Sequence, residues 1–195
     1  MRPAIVVGVW NSGVARASEY VPQKAVRAKW IDEVHATFAT QHLPIVSDAY
    51  LRFLVTELKP WVDATYPTKP GAGDTFIMGS SMGGLISAYA LAEYPGVFGA
   101  AACLSTHWPA GDGAVVDYLA AHLPPPGSHR FYFDLGTETL DATYAPFQER
   151  MDNAMRAAGY TEGRDWVTRR FPGAEHSERS WSKRADQPLE FLLGK

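Results

Sequence analysis

The chain has 195 residues, of which 46% are hydrophobic and 20% charged, a composition typical of one globular domain. Its formal net charge of −3 gives no electrostatic basis for binding nucleic acid or an anionic membrane surface. The single cysteine, Cys103, excludes a disulfide framework and a cysteine-rich metal site, and no apolar run reaches the roughly 20 residues of a membrane span. The first residues lack the layout of a signal peptide, which predicts a cytoplasmic protein.

Five short apolar runs, rich in β-branched or aromatic residues, are typical of strands. They are Ala4–Trp10, Thr75–Met78, Phe98–Leu104, Arg130–Leu135 and Trp166–Phe171. The intervening and following stretches predict helices at Asp48–Thr65, Met82–Tyr94, Ala114–His122, Tyr144–Ala158 and Pro188–Leu193. The first four strands are almost continuously apolar, which indicates a parallel sheet covered on both faces. The alternation of strands and helices predicts one three-layer α/β domain over residues 1–195.

The segment TFIMGSSMGGLISAYALAEYP carries the signal of a nucleophilic serine. The residues from Gly79 to Gly83 have the spacing G-x-S-x-G between a predicted strand and a predicted helix. This spacing selects Ser81 rather than Ser80, and the glycines let strand and helix pass closely. The positive end of the helix dipole favours an oxyanion, so the backbone N–H of Met82 is a predicted oxyanion donor. The alternative is a turn that only joins a strand to a helix.

A serine is a weak nucleophile at neutral pH and needs an adjacent base. When the nucleophile lies on this kind of turn, the acid and then the base follow it along the chain. His176, in the polar loop PGAEHSERSW just after the last predicted strand, is the candidate base. His122 falls near a helix end and His129 just before a strand, where we expect solvated side chains.

The acid is expected in the loop LGTETLDATYAP, which follows the predicted strand Arg130–Leu135. A carboxylate there would hold the imidazole in one tautomer and stabilise its protonated form. The loop offers Asp141, which we prefer, and Glu138 as the second choice. Asp134, at the end of the strand, is the third choice, and all of them are also compatible with ordinary loop charges.

Several aromatic and polar residues follow predicted strands, at the sheet edge where such folds bind ligands. Trp10 and Asn11 end the first strand, His107 and Trp108 follow the third, and Trp181 comes soon after the candidate base. We predict a substrate pocket formed by Trp10, His107, Trp108 and Trp181. The alternative for each is ordinary packing, and for Trp181 we favour packing that positions the loop of the base.

The segments GSSMGGLISAYALAEYPGVFGAA, SDAYLRFLVTELKPWVDATYP and GAEHSERSW resemble an esterase branch of the α/β-hydrolases. That branch includes esterase D-like, enterochelin esterase-like and feruloyl esterase-like proteins, and the resemblance runs from about Ile5 to the C-terminus. It implies hydrolysis of carboxylic esters without a metal or cofactor. In feruloyl esterase-like members the catalytic Asp precedes a Gln by the interval that separates Asp141 from Gln148, which favours Asp141 over Glu138.

The resemblance also predicts a shortened sheet. Family members usually carry several strands before the one that IVVGVWN resembles, and a loop among them gives the second oxyanion N–H. We therefore expect a mostly parallel sheet of about five strands, with the backbone near Trp10 or Asn11 as the second donor. An exposed apolar edge strand invites association, so we also expect a homodimer through this edge.

Three classes of function are compatible with these sequence features. The first is a serine carboxylesterase that hydrolyses small to medium esters through an acyl group on Ser81. The second is a weakly active or non-catalytic binding protein with a hydrolase fold. The third is an acyltransferase or thioesterase, because the pocket and not the nucleophile chooses the acceptor and the leaving group.

Overall fold

A computed structural model of the chain describes residues 1–26 and 43–194. Its sheet consists of four parallel strands that lie side by side in chain order. They are β1 (Phe76–Ser80), β2 (Ala100–Leu104), β3 (Arg130–Leu135) and β4 (Trp166–Arg170). The register aligns their carboxyl ends, since Ser80 of β1 pairs with Leu104 of β2 and Leu104 in turn with Asp134 of β3.

Helices precede, connect and follow the strands. They are α1 (Arg16–Tyr20), α2 (Ser47–Phe53), α3 (Lys59–Thr65), α4 (Met82–Glu93), α5 (Ala114–His122), α6 (Ala145–Ala157), α7 (Glu178–Ser182) and α8 (Asp186–Leu193). A π-helical segment, Leu54–Leu58, joins α2 to α3, so that residues 47–65 form one continuous helical stretch. Among the residues that the structure describes, no helix is long and apolar enough to cross a membrane.

The sheet lies between two layers of unequal size. Ala101 and Cys103 of β2 pack into the larger hydrophobic core, together with residues of α1, α2, α4, α5 and α6. The alternate residues Ala102 and Leu104 belong to the smaller core on the other face, which Leu192 of α8 covers. All of β2 is buried, as the almost continuous apolarity of its sequence predicts. The predicted three-layer α/β class is confirmed.

The helices differ in how far they are buried, and their sequences differ accordingly. All residues from Met82 to Leu91 in α4 are buried, and this stretch has no charged residue, as a helix enclosed on every side requires. In α6 only Gln148, Met151 and Met155 are buried, at helical spacing along one face. Because α4 begins directly after the end of β1, its N-terminus lies at the carboxyl edge of the sheet.

The predicted strand Ala4–Trp10 is wrong. These residues form no strand, and β1 is an outer strand of the described sheet. A strand needs a neighbour for its backbone hydrogen bonds, and no described strand pairs with this segment. Its side chains are correspondingly open to solvent, with Val6 83% and Trp10 94% exposed. Within residues 1–26 and 43–194 the sheet therefore has four strands rather than about five.

The turn between β1 and α4 holds Ser81 in an uncommon backbone conformation. Its φ of 58° lies in the left-handed region, which residues other than glycine seldom adopt. A hydrogen bond of 2.8 Å from the N–H of Ser81 to the carbonyl of Leu104 ties the turn to β2. Strand and helix cross so closely that a Cβ at Gly79 would lie 2.5 Å from the carbonyl oxygen of Gly83. This crossing requires glycine at position 79 and fixes the direction of the serine side chain.

We expect Gly79→Ala to lower the free energy of unfolding by about 1–3 kcal/mol, because the added methyl group has to displace helix backbone. Chemical denaturation followed by circular dichroism measures the change. Gly83→Ala is the matched control, since no atom outside its own helix lies within 4 Å of the added Cβ. Alanine favours a helix over glycine, so this control should be at least as stable as wild type. Equal stability of Gly79→Ala and wild type would contradict the close crossing.

Candidate active site

Each strand delivers one polar residue to the carboxyl edge of the sheet. Ser81 directly follows β1, and Ser105 directly follows β2. Asp141 lies in the loop after β3, and His176 lies in the loop after β4. Because the four strands are parallel, their carboxyl ends meet at one edge. The side chains of Ser81 and His176 therefore come into contact although 95 positions separate them in sequence.

The side chains of Ser81, His176 and Asp141 form a continuous hydrogen-bonded chain. Nε2 of His176 lies 2.9 Å from Oγ of Ser81, and Nδ1 lies 2.6 Å from Oδ1 of Asp141. An ionised carboxylate only accepts hydrogen bonds, so Nδ1 carries the proton and Nε2 presents its lone pair to the serine hydroxyl. The Asp141 side chain is fully buried and that of His176 is 8% exposed. This arrangement lets the imidazole accept the serine proton.

The loops after β3 and β4 are joined through their backbones. The carbonyl of Ala174 accepts hydrogen bonds from the N–H groups of Thr137, at 3.0 Å, and Glu138, at 3.1 Å. A Cβ at Gly136 would lie 2.1 Å from the same carbonyl oxygen, so the close approach of the two loops requires glycine there. These contacts hold the loop of the candidate acid against the loop of the candidate base.

Hydrogen bonds keep the carboxylate of Asp141 ionised. Burial alone would raise its pKa, but hydrogen bonds from His176, Ser105 and the backbone N–H of Gly136 hold the pKa below its ordinary value. Asp141 is therefore negatively charged throughout the neutral pH range. A negative charge beside Nδ1 stabilises the protonated imidazole and so favours removal of the serine proton.

The other two acid candidates lie outside this chain of hydrogen bonds. Glu138 is exposed, and its carboxylate accepts a hydrogen bond from the Thr137 hydroxyl at 3.3 Å. Asp134 is buried at the end of β3 and pairs with Arg184 at 2.9 Å. Of the three carboxylates, Asp141 is the one in contact with the imidazole.

His107 and Tyr144 lie beside the candidate base. The Tyr144 ring packs edge-on against His176 with 5.5 Å between centroids, and its hydroxyl hydrogen-bonds to Nδ1 of His107. The backbone N–H of His107 donates to the carbonyl of Ser81 at 3.3 Å. Burial, aided by the neighbouring His176 and Arg16, lowers the pKa of His107 to about 4. The structure thus brings His107 to the site as a neutral ring at pH 7.

The three tryptophans of the predicted pocket have different surroundings. Trp108 is 1% exposed, and its Nε1 donates to Gln148 at 2.8 Å, so its ring belongs to the core rather than to a pocket wall. Trp181 packs edge-on against His176, with 5.0 Å between the ring centroids. Trp10 is 94% exposed and therefore lines no enclosed pocket.

Two cavities border the end of β1 that leads to Ser81. The larger, of about 320 Å³, lies between the N-terminal segment and the strand, and its lining includes Asn11, Arg16 and Tyr20. The smaller, of about 200 Å³, is lined in part by Trp181. Of the residues predicted from sequence to bind substrate or to donate to an oxyanion, Asn11 and Trp181 therefore lie in cavity walls.

Ser105 and Tyr144 contact Asp141 and His176, respectively, and neither is predicted from the sequence. The hydroxyl of Ser105 lies 2.5 Å from Oδ2 of Asp141. A polar residue directly after a buried strand is a usable signal for it, since such residues lie at the carboxyl edge of the sheet. Tyr144 begins the turn into α6, and no pattern in its sequence surroundings marks its contact with His176.

Solved structures resemble the described fold. A ferulic acid esterase superposes with a TM-score of 0.59 at 20% identity, over 74% of this chain and 60% of its own. Enterochelin esterase from Shigella flexneri gives a TM-score of 0.60 at 25% identity, over 81% of this chain and 40% of its own. S-formylglutathione hydrolase (FrmB) from Staphylococcus aureus superposes with a TM-score of 0.56 at 16% identity, over 75% of this chain and 65% of its own. The chain thus spans 40–65% of the length of these proteins and shares their fold.

Sequence comparison extends the likeness to nearly the whole chain. Protein YbbA of Bacillus subtilis (strain 168) is 23% identical over 186 residues, which cover 92% of this chain and 70% of YbbA. A family model described as "Putative esterase" matches residues 1–189. The resemblance seen in the nucleophile segment is confirmed, and the match over residues 1–189 shows that the chain belongs to this esterase family.

Proposed function

We propose that the protein is a serine carboxylesterase in which Ser81 is the nucleophile, His176 the general base and Asp141 the residue that orients the base. The observation that carries this proposal is the unbroken contact from the serine hydroxyl through both imidazole nitrogens to a buried carboxylate, at 2.9 and 2.6 Å. A serine activated in this way attacks acyl groups. Membership of the esterase family supports the same reaction.

In the proposed reaction, Oγ of Ser81 attacks the ester carbonyl carbon while Nε2 of His176 takes the hydroxyl proton. The tetrahedral intermediate collapses when His176 passes that proton to the departing alcohol oxygen, which leaves the acyl group on Ser81. Water then attacks this acyl-enzyme and gives a proton to Nε2. The carboxylic acid departs as the proton returns to Oγ. Asp141 stays ionised and holds the imidazole in place throughout.

We place the oxyanion of the intermediate at the N-terminus of α4. The first N–H groups of a helix have no intrahelical partners, and the helix dipole favours a negative charge there. Met82 is the first residue of α4, so its N–H is the proposed first donor. Asn11 is the proposed second donor, because it lies in the wall of the larger cavity beside β1. The ring of Trp10 is 94% exposed and lies outside the walls of both cavities.

The proposed substrates are small to medium carboxylic esters. The larger cavity, of about 320 Å³, lies at the lower end of the roughly 300–1,000 Å³ usual for ligand pockets, and the smaller, of about 200 Å³, lies below that range. Tyr20, Tyr50 and Leu54 give the larger one an aromatic and apolar wall, and Arg16 adds a positive charge. Such a wall favours an aromatic acyl group with a polar substituent. Two structurally similar proteins are a ferulic acid esterase and an esterase solved with 2,3-di-hydroxy-N-benzoyl-serine, which supports assays with aromatic esters.

We expect Ser81→Ala to lower the hydrolysis of p-nitrophenyl acetate by about 10³-fold or more, since oxyanion stabilisation and binding alone then remain. A fluorophosphonate probe, which reacts with activated serines, should label wild type and not this variant. Ser80→Ala is the matched control and should be labelled like wild type. Equal hydrolysis by wild type and Ser81→Ala would refute the proposal. A folded wild type that takes no label would favour the non-catalytic binding protein.

Substitution of the two loop carboxylates separates the roles of Asp141 and Glu138. We expect Asp141→Asn to lower kcat by about 10²–10⁴-fold, because an amide no longer enforces the required imidazole tautomer. Glu138→Gln removes an exposed carboxylate of the same loop and should retain near wild-type kcat. Steady-state kinetics with p-nitrophenyl acetate measure both. A larger loss in Glu138→Gln than in Asp141→Asn would exclude Asp141 as the orienting acid.

A further inference from the structure

The hydroxyl of Ser105 lies at the centre of a buried network behind the candidate acid. Its Oγ is 2.5 Å from Oδ2 of Asp141, 3.0 Å from Nε1 of Trp181 and 2.8 Å from Nη2 of Arg184. Indole and guanidinium nitrogens only donate, so Trp181 and Arg184 both donate to this oxygen. The one hydroxyl hydrogen is then left for Asp141. Both acceptor positions and the donor of Ser105 are used, which fixes the direction of its O–H bond.

Arg184 is in turn held by a buried ion pair. Its Nη2 and Nε lie 2.9 and 3.1 Å from the two carboxylate oxygens of Asp134, and the two side chains are 4% and 0% exposed. The guanidinium also lies over the ring of Phe171, at 4.8 Å from its centroid. Asp134 accepts further hydrogen bonds of 3.1 Å from the backbone N–H of Ser105 and the hydroxyl of Tyr132. A guanidinium bound in this two-pronged way has one orientation.

The backbone of Ser105 is in an unfavourable conformation for its residue type. Its φ of 41° is positive, and the residue is fully buried. Glycine would adopt this conformation with less strain but would leave the network without its central hydroxyl. Ser105 is therefore strained in its backbone, but its hydroxyl is the group that joins Arg184, Trp181 and Asp141.

We propose that Ser105, itself fixed by Arg184 and Trp181, is a positioning residue that holds the carboxylate of Asp141 in line with His176. This inference rests on the proposed function, because it concerns the orientation of His176, the proposed general base. Among the described residues, the Ser105 hydroxyl bonds to Asp141, Trp181 and Arg184, so Ser105 acts on His176 and Ser81 through Asp141.

The division of contacts between the two carboxylate oxygens explains how the positioning works. Oδ2 of Asp141 accepts from Ser105 at 2.5 Å and from the backbone N–H of Gly136 at 2.6 Å. Oδ1 is left for His176, at 2.6 Å. The carboxylate cannot rotate away from the imidazole without breaking both hydrogen bonds to Oδ2. Loss of the Ser105 hydroxyl removes one of these two restraints.

The hydroxyl also separates the cation from the acid. A guanidinium bound directly to Asp141 would compete with the imidazole for the carboxylate. The hydrogen bonds of Arg184 go instead to Asp134 and to Ser105. Arg184 thus fixes the Ser105 hydroxyl without binding Asp141 itself, and Oδ1 of Asp141 remains available to the base.

The position of the imidazole can be measured without substrate. In proton NMR spectra of protein with ¹⁵N-labelled histidine, the strongly hydrogen-bonded Nδ1–H of His176 gives a downfield resonance, assigned by its absence from His176→Gln. We expect Ser105→Ala and Ser105→Gly to shift this resonance upfield or to abolish it through exchange with water. Ser105→Gly relieves the positive φ and so keeps a folded protein for comparison.

The matched control is Thr106→Val, which removes the adjacent buried hydroxyl while keeping the shape of the side chain. Oγ1 of Thr106 has no hydrogen-bond partner among the described residues, so the downfield resonance should stay in place. An unchanged resonance in both Ser105→Ala and Ser105→Gly overturns the proposal, whatever the enzymatic activity of the protein.

Kinetics give a second readout. With p-nitrophenyl acetate we expect both Ser105 variants to lose about tenfold or more in kcat at nearly constant KM, because a misplaced base slows the chemical step and not binding. Variants with a lower melting temperature but wild-type kcat would assign Ser105 a purely structural role and overturn the proposal. A wild-type protein inactive on esters would refute the proposed function instead, and the NMR resonance would still decide the role of Ser105.

Discussion

The hydrogen bond between His176 and Asp141 is the interaction on which the rest of the site depends. Ser81 follows one outer strand of the described sheet and His176 follows the other, so the imidazole has to reach across the carboxyl edge to meet the hydroxyl. The loop that carries His176 does not fix the position of the imidazole by itself. A carboxylate anchored after the neighbouring strand receives the Nδ1 proton, and the other imidazole nitrogen then faces the serine.

A carboxylate can be buried at this position only because both of its oxygens accept hydrogen bonds. Asp141 accepts from a side-chain hydroxyl, a backbone N–H and the imidazole, and the ion pair of Arg184 with Asp134 supports the hydroxyl from behind. Main-chain packing adds a second kind of restraint. At Gly79 and at Gly136 the backbone of one segment lies where a side chain would otherwise be. These backbone contacts act together with the side-chain hydrogen bonds to set the separation of the groups that meet.

Local patterns in the sequence predict much of this arrangement, and the remainder depends on contacts that local patterns do not encode. The buried strands and α4 follow from apolar runs, and Ser81 follows from a five-residue motif on a turn. Ala4–Trp10 shows the limit of such reasoning. An apolar run predicts a strand, but it does not tell whether another strand lies beside it to complete its backbone hydrogen bonds. The contact between Ser105 and Arg184 joins residues 79 positions apart. Polar residues after strands are common, and which of them meet depends on how α7 and α8 dock on the sheet.

The spread of these contacts along the chain bears on how the protein is made. The members of the site appear in the order in which their strands are added, and Arg184 comes last. A chain emerging from a ribosome therefore presents the serine turn well before the acid, the base or the supporting ion pair has been synthesised. Until His176 has been synthesised, the Ser81 hydroxyl lacks the imidazole that is placed to accept its proton. The proposed chemistry therefore depends on a late-synthesised part of the described chain, which carries both the imidazole of His176 and the guanidinium of Arg184.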